Sequence, residues 1–226
     1  WRPLGPTNPK GLPQPLRDRS VYTAATPNFS GRIAHVAIDP NCGSGRHGKK
    51  DDCRLWIANA NGGVWRTEDA LDSTPQWEYL SRVFEHNNVA SLEIDPNDRD
   101  ADTIWAGTGE PNACGSGCEA GVGLYKSTDG GDHWRGPFGR DAFYDRAAGS
   151  IAIRPGNSKV MFVASGRGIR GLSNVCCGGA DAIIPGAPHF GVYRSLDGGD
   201  TWQIVSQGAP TTSRRSSVAR CTGERI

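Results

Sequence analysis

Seven polar side chains in this 226-residue chain have the types needed to hold a hydroxylated or carboxylated ligand. They are guanidinium groups, amides and one carboxylate, which together offer fixed hydrogen-bond donors and acceptors. The set comprises Arg32, Asn59, Asn61, Asn88, Glu110, Asn112 and Arg167. Structural roles compete with this interpretation, because an Asn beside a Gly suits a tight turn and Arg32 can form a salt bridge with Glu110. The set is therefore a candidate binding surface.

Glu110 is the candidate for acid–base catalysis. Hydrolysis of a glycoside usually requires two carboxyl groups, one on each side of the scissile bond. The next carboxylate that could serve, Asp181, lies in a long loop far along the chain. The sequence thus provides at most half of such a catalytic pair.

A repeated octapeptide, Ser-x-Asp-x-Gly-x-x-Trp, carries further carboxylates. It occurs as Ser127, Asp129, Gly131 and Trp134, again as Ser195, Asp197, Gly199 and Trp202, and in a divergent copy from Thr67 to Trp77. The Asp can accept backbone N–H groups of its own turn, the Gly adopts dihedral angles that other residues resist, and the Trp packs on the sheet. We expect these residues to be structural, because a side chain bonded within its own turn is not available to a substrate.

Short alternating apolar runs surround each octapeptide. In each unit a first run ends at a Pro corner, and a second run, a loop, an aromatic run and the Asp turn follow, with a last strand beginning at Trp. Four strands in this order form an antiparallel meander, and a radial array of such sheets is a β-propeller. We predict an all-β chain with three four-stranded blades at about residues 28–80, 87–138 and 147–206. The flanks are expected to be an extended Pro-rich lead-in at 1–27 and a polar tail at 207–226, either disordered or non-native sequence.

Strand direction sorts the loops between two rims. The Asp turns occupy one rim, and the loops between second and third strands, which lengthen from the first unit to the third, occupy the other. The seven polar side chains fall on this second rim, which we call the long-loop rim. Loops at the mouth of such an array are where propellers bind ligands.

The Asp turns resemble the Asp boxes, or BNR repeats, of the sialidase-type β-propeller superfamily over about residues 28–206. Three phrases, Gly62–Thr67, Gly107–Glu110 and Trp1–Pro6, are similar to exported bacterial BNR proteins related to sortilin ectodomains and xyloglucan-specific endoglucanases. The resemblance implies the propeller fold. It does not specify an activity, because that superfamily includes sialidases, glucanases, peptide receptors and assembly factors.

The catalytic residues of those enzymes are largely missing. A sialidase-like enzyme needs an arginine triad, a Tyr–Glu pair and an acid Asp, of which Arg32 alone has a faint counterpart. Alignment with a xyloglucan-type endoglucanase puts Ala90 where the catalytic Asp is expected. Two hypotheses remain: a secreted glycan- or protein-binding module that uses the long-loop rim, and the N-terminal part of a glycoside hydrolase with further carboxylates outside this chain.

Net charge and cysteine content limit the possible partners and the cellular location. A net charge of +1 gives no support for a nucleic-acid partner, and nothing in the sequence suggests a membrane span. Seven cysteines favour a secreted, periplasmic or cell-surface protein. Cys42 and Cys53 bracket a polar loop that a disulfide could close, whereas Cys114, Cys118, Cys176 and Cys177 allow several pairings.

No metal or other cofactor is expected. The cysteines lack a histidine at zinc-ligand spacing. The acidic turn at 95–102 lacks the central Gly of a calcium-binding loop.

Three units are fewer than a closed ring of this superfamily needs, about six or more. Such a sector leaves two sheet faces and two edge strands exposed. In order of preference, we expect the chain to continue beyond residue 207, copies to associate into a ring, or the terminal segments to cover the open faces.

Overall fold

The computed structural model describes residues 32–45, 52–111, 119–168 and 186–207. In these ranges, twelve strands form three four-stranded antiparallel sheets, and within each sheet the strands pair in sequence order. The predicted all-β class with three four-stranded antiparallel sheets is confirmed. The predicted lead-in, and the predicted tail except Gln207, lie outside the described residues.

The first sheet contains β1 (Ile33–Ile38), β2 (Leu55–Asn59), β3 (Gly63–Thr67) and β4 (Glu78–Tyr79). The second contains β5 (Val89–Ile94), β6 (Ile104–Thr108), β7 (Leu124–Ser127) and β8 (Arg135–Phe138). The third contains β9 (Arg146–Ile153), β10 (Met161–Arg167), β11 (Gly191–Ser195) and β12 (Gln203–Gln207). One turn of helix, α1 (Arg140–Phe143), connects the second sheet to the third.

The strand ends differ slightly from the sequence-based expectation. Each fourth strand begins one residue after the Trp of its Asp turn. In the third sheet, β10 continues to Arg167 because β9 starts at Arg146 and supplies backbone partners that far. The helix α1 was not predicted, since one helical turn has no apolar periodicity to detect.

All three sheets carry an aromatic ring on the second strand opposite a cation on the third. The pairs are Trp56 with Arg66, Trp105 with Lys126, and Phe162 with Arg194. We call the face that carries this pair the front face of a sheet, and the opposite face its back face. Alternation of side chains along each strand separates the two faces.

The sheets stack front to back in chain order. Trp56 and Val64, on the front of the first sheet, share a buried core with Leu92, Ile104 and Tyr125 on the back of the second. A second core joins the front of the second sheet to the back of the third, and contains Trp105, Leu124, Ile151, Met161 and Tyr193. The first strands β1, β5 and β9 lie side by side in series. Each junction is therefore of the same type.

In each Asp turn, the Asp carboxylate accepts hydrogen bonds from residues of the same turn. Asp129 Oδ1 accepts hydrogen bonds from the Ser127 hydroxyl at 2.7 Å and from the His133 backbone at 2.9 Å. The third sheet repeats this arrangement with Asp197, whose carboxylate accepts from Ser195 and Thr201 at 2.7 and 3.0 Å. The divergent turn follows the same plan, because Asp69 accepts from Thr67 and from the backbone of Gln76.

These hydrogen bonds stabilise the charged carboxylates. The side-chain and backbone hydrogen bonds of Thr201, with that of Ser195, lower the pKa of Asp197 to about 2. Partial burial opposes the shift at Asp129, but hydrogen bonds from His133 and Ser127 still lower its pKa. Both carboxylates are thus engaged within their own turns.

The Asp turns of the second and third sheets also sit on the front face of the preceding sheet. Trp56 Nε1 and Arg66 Nη1 both donate to the carbonyl of Gly130, at 2.8 and 2.9 Å. At the next junction a methyl group added to Gly199 would lie 2.6 Å from the Trp105 ring, so the ring covers this glycine directly. The aromatic residue of one sheet and the turn glycines of the next therefore form a repeated contact.

Candidate functional site

Arg32 and Glu110 connect the first two sheets at the long-loop rim. The backbone carbonyl of Arg32 accepts the N–H of Ala60, which places Arg32 beside the turn between β2 and β3. Its guanidinium reaches across to the second sheet, where Nη2 lies 2.9 Å from Glu110 Oε2. The salt bridge that the sequence offered as a structural alternative to a binding role is therefore present in the structure.

The two partners differ in exposure. The Glu110 side chain is 2% exposed, whereas that of Arg32 is 49% exposed. A buried carboxylate requires compensation by a cation or by hydrogen bonds, and Arg32 supplies the cation. Glu110 therefore orients the guanidinium, and Arg32 is the more exposed of the two groups.

Glu119 lies opposite Glu110 in the structure. The two residues exchange backbone hydrogen bonds of 2.9 and 3.0 Å in an isolated antiparallel bridge. Burial raises the pKa of the Glu119 carboxyl. Sequence reasoning missed this residue, because the pairing depends on how the chain returns to the rim after a long loop.

The asparagines of the set occupy different environments. Asn59 ends β2 and is buried, and its Oδ1 has no hydrogen-bond partner among the described residues. Asn61 is exposed with φ of 68°, which is the left-handed conformation of a tight turn. Asn88 is buried, and its backbone carbonyl accepts the N–H of Gly109 at 2.8 Å. Asn59 and Asn88 thus flank the strand ends that carry Arg32 and Glu110.

The remaining predicted residues are only partly described. Arg167 ends β10, where its backbone pairs with Arg146, and its side chain lies outside the described part. Asn112, Cys114, Cys118, Cys176 and Cys177 also fall outside it. Cys42 and Cys53 form a disulfide between β1 and β2.

A shallow cavity of about 510 Å³ opens beside α1 on the same rim. Its lining includes Arg140, Asp141, Tyr144 and Asp145 from the second-to-third-sheet connection, with Pro188 before β11. The Arg140 guanidinium lies 4.9 Å from the centre of the Tyr144 ring. The Tyr144 ring also packs against the core between the first two sheets, so protein groups occupy it and the cavity wall is mainly charged and polar. No sequence pattern singled out this group, which follows from the unpredicted helix.

Metal binding finds no support in the described residues, where no three His, Cys, Asp or Glu side chains come together as a metal site. Helices long and apolar enough to cross a membrane are likewise not found in these ranges.

No protein-family model matches this chain, and no curated protein is similar to it. Among solved structures, it is similar to the GH74 xyloglucanase from Xanthomonas campestris, with 14% sequence identity and a TM-score of 0.40. The match covers 79% of this chain and 37% of the xyloglucanase chain. This chain thus spans well under half the length of that enzyme, and we assign no residue from the match. The comparisons add no sequence-level support to the resemblance to BNR proteins, sialidases or sortilin.

Proposed function

We propose that this chain is a binding module that holds a glycan or protein ligand at its long-loop rim. The observation that carries the proposal is the half-exposed Arg32 guanidinium, oriented by the buried carboxylate of Glu110 at 2.9 Å. A guanidinium held in this way offers preorganised N–H donors to a carboxylate or hydroxyl group of a ligand. The cavity beside α1 adds further charged and polar groups to the same rim, which supports a hydroxylated or carboxylated ligand.

Asn59 supports the same surface. A buried amide oxygen without a partner costs about 1–3 kcal/mol relative to a hydrogen-bonded one. Since Asn59 lies next to the turn that Arg32 contacts, a ligand hydroxyl that reached Oδ1 would recover part of this cost.

The test is a screen of neutral and acidic oligosaccharides and of peptides on arrays, followed by calorimetric titration of the hits. We expect Arg32→Gln to weaken binding by about tenfold or more, because a charge-assisted hydrogen bond contributes about 1.5–3 kcal/mol. Arg32→Lys keeps the charge opposite Glu110 and separates loss of binding from loss of folding. Arg135→Gln, an exposed arginine on the opposite rim, is the matched control. Undiminished binding by Arg32→Gln would contradict the proposal.

A glycoside hydrolase is the second candidate, and the position of Glu119 favours it. Directly opposed residues in an antiparallel pair have Cβ atoms about 5 Å apart, so Glu110 and Glu119 bring two carboxyl groups to one place. A raised pKa suits the acid of such a pair. The burial of Glu110 weighs against it, since a catalytic carboxylate must reach the glycosidic bond.

Release of reducing ends from xyloglucan and from aryl glycosides distinguishes the two candidates. An enzyme would lose activity by about 10²–10⁴-fold in Glu119→Gln. If the wild-type chain binds the ligand and does not hydrolyse it, the hydrolase candidate is rejected and the binding module stands.

We further propose that the three sheets are consecutive blades of a β-propeller, at about 28–80, 87–138 and 147–206. Their repeated front-to-back stacking and the Asp turns seated at each junction support this assignment. An exported location accompanies the proposal, and the Cys42–Cys53 disulfide supports it because disulfides persist in oxidising compartments.

A further inference from the structure

The front face of the third sheet has no Asp turn seated on it in the described structure. Phe162 occupies the position on its second strand that Trp56 and Trp105 have in the other two sheets. It is 38% exposed, whereas Trp56 and Trp105 are 0% and 2% exposed. Val205, on β12, is exposed as well. The Nε of Arg194 is buried without a hydrogen-bond partner among the described residues. This face thus carries an aromatic ring and a cation at the same positions as the two junctions, but no described sheet packs against it.

The back face of the first sheet shows the complementary situation. Ile33, Val36 and Ile38 of β1 are exposed. Their counterparts on β5 and β9 pack in the two cores, as Leu92 and Ile153 illustrate. Within the described ranges, one end of the stack therefore has no sheet on its front face, and the other end has an exposed first strand on its back face.

The divergent Asp turn of the first sheet lies where the other two turns lie. Ala70 donates its N–H to the carbonyl of Cys53, two residues before β2. Gly130 and Gly198 make the same hydrogen bond to the residues two before β6 and β10. Leu71 therefore follows this donor in the chain as Gly131 and Gly199 do, but without their positive φ, and it is 60% exposed.

The exposed side chains at the two ends of the stack are complementary in size. At the second junction Trp105 covers Gly199 directly, whereas at the first junction Leu80 lies nearest to Gly131 and Trp56 Nε1 lies 3.7 Å from the position of an added methyl group. At the two open ends the ring is smaller and the turn residue is larger, namely Phe162 and Leu71. Conserving the total volume of a contact preserves its packing.

The charges are complementary too. Arg66 of the first sheet lies 2.8 Å from Asp132 in the second Asp turn. Arg194 occupies the position of Arg66, and Asp72 in the divergent turn occupies that of Asp132. A contact between the open faces would therefore pair Arg194 with Asp72.

We propose that the front face of the third sheet binds the back face of the first sheet of a second copy of this chain. Phe162 of one copy packs on Leu71 of the other, in the manner of Trp105 on Gly199. The contact is head to tail, because it joins two different surfaces. Two such contacts between two copies close a dimer of six sheets.

Mixing of variants blocked at opposite ends tests the direction of the contact. Phe162→Asp blocks the front face and Leu71→Asp blocks the back face, so each variant alone is expected to be monomeric by light scattering coupled to size exclusion. An equimolar mixture retains one intact contact and is expected to form a 1:1 dimer. Val83→Asp, at an exposed site on the loop between β4 and β5, should leave assembly unchanged. A monomeric wild-type chain, or assembly that survives both blocking substitutions, overturns the proposal.

Exchange of the pair tests the packing itself. Phe162→Trp alone and Leu71→Gly alone are each expected to raise the dissociation constant by about tenfold, whereas the double variant restores the Trp–Gly pair and lies within about threefold of wild type. Retained far-ultraviolet circular dichroism identifies variants that fold. Additive effects of the two substitutions would refute direct contact.

Discussion

The indole N–H of Trp56 donates a 2.8 Å hydrogen bond to the backbone carbonyl of Gly130. The donor belongs to the first sheet and the acceptor to the Asp turn of the second. Arg66 donates to the same carbonyl, so two side chains of one sheet hold the turn of the next. The Asp turn therefore closes its own hairpin and also joins neighbouring sheets.

Trp56→Phe is expected to lower the free energy of unfolding by about 2–4 kcal/mol. The substitution removes one donor to a buried carbonyl and leaves a small cavity in the core between the first two sheets. Urea unfolding followed by circular dichroism measures the change. Leu196→Ala, at an exposed site, is the control and should change stability by less than about 0.5 kcal/mol. A similarly small effect of Trp56→Phe would contradict this role.

Two neighbouring glycines separate backbone strain from packing. Gly198 and Gly199 both have positive φ, of 82° and 96°. A methyl group on Gly198 meets nothing within 4 Å, but on Gly199 it lies 2.6 Å from the Trp105 ring. We expect Gly198→Ala to cost about 1–2 kcal/mol from strain alone, and Gly199→Ala to cost about 1–3 kcal/mol more from overpacking. Equal costs in thermal unfolding would show that Trp105 does not restrict this position.

The carboxylate of Asp197 should titrate near pH 2, well below its ordinary range. Carbon-13 NMR of the side-chain carboxyl measures this pKa directly. Thr201→Ala removes the first of the hydrogen bonds that lower it and should raise the pKa towards the ordinary value. Because the folded-state pKa is depressed, the stabilisation is present above the unfolded-state value and is lost as the pH falls towards 2. An unchanged pKa in Thr201→Ala would assign the shift to another cause.

His35 should make folding sensitive to mild acid. Burial lowers its pKa below the ordinary 6.5, and its Nδ1 accepts the Leu92 N–H at 2.9 Å, which requires the unprotonated nitrogen. The unfolded chain therefore takes up a proton before the folded chain does, and stability falls as the pH drops below about 6.5. His35→Gln, whose amide oxygen can accept the same N–H, should reduce the difference between urea unfolding at pH 7.5 and 5.5. The exposed His189→Gln is the control, and a similar pH dependence in wild type and His35→Gln would count against this assignment.

Local sequence rules predicted the strands and the Asp turns well. The hydrogen bonds around Asp129 and Asp197 involve residues within four positions of each carboxylate, so their partners are visible in the octapeptide itself. Alternation and Pro corners were sufficient to find the strands, because each meander pairs only neighbouring segments of the chain.

Contacts between sheets were harder to predict. Trp56 and Gly130 are 74 residues apart, and His35 and Leu92 are 57 apart, so their meeting depends on how whole sheets stack. Glu119 was not predicted for a similar reason, since no local sequence pattern marks its pairing with Glu110. By contrast, the Arg32–Glu110 pair was considered in advance because Arg32 directly precedes β1 and Glu110 follows β6, which places both on the same rim.

The contact between Trp105 and Gly199 affects which gene duplications could add sheets to such a chain. Duplication of the second sheet would place a new Gly131 beneath Trp105, which is again a tryptophan over a glycine. An inserted copy would thus place a Trp against a turn Gly on both of its sides. Duplication of the whole three-sheet segment would instead place Leu71 beneath Phe162, so the terminal pair marks the boundary at which tandem copies could be fused into one gene.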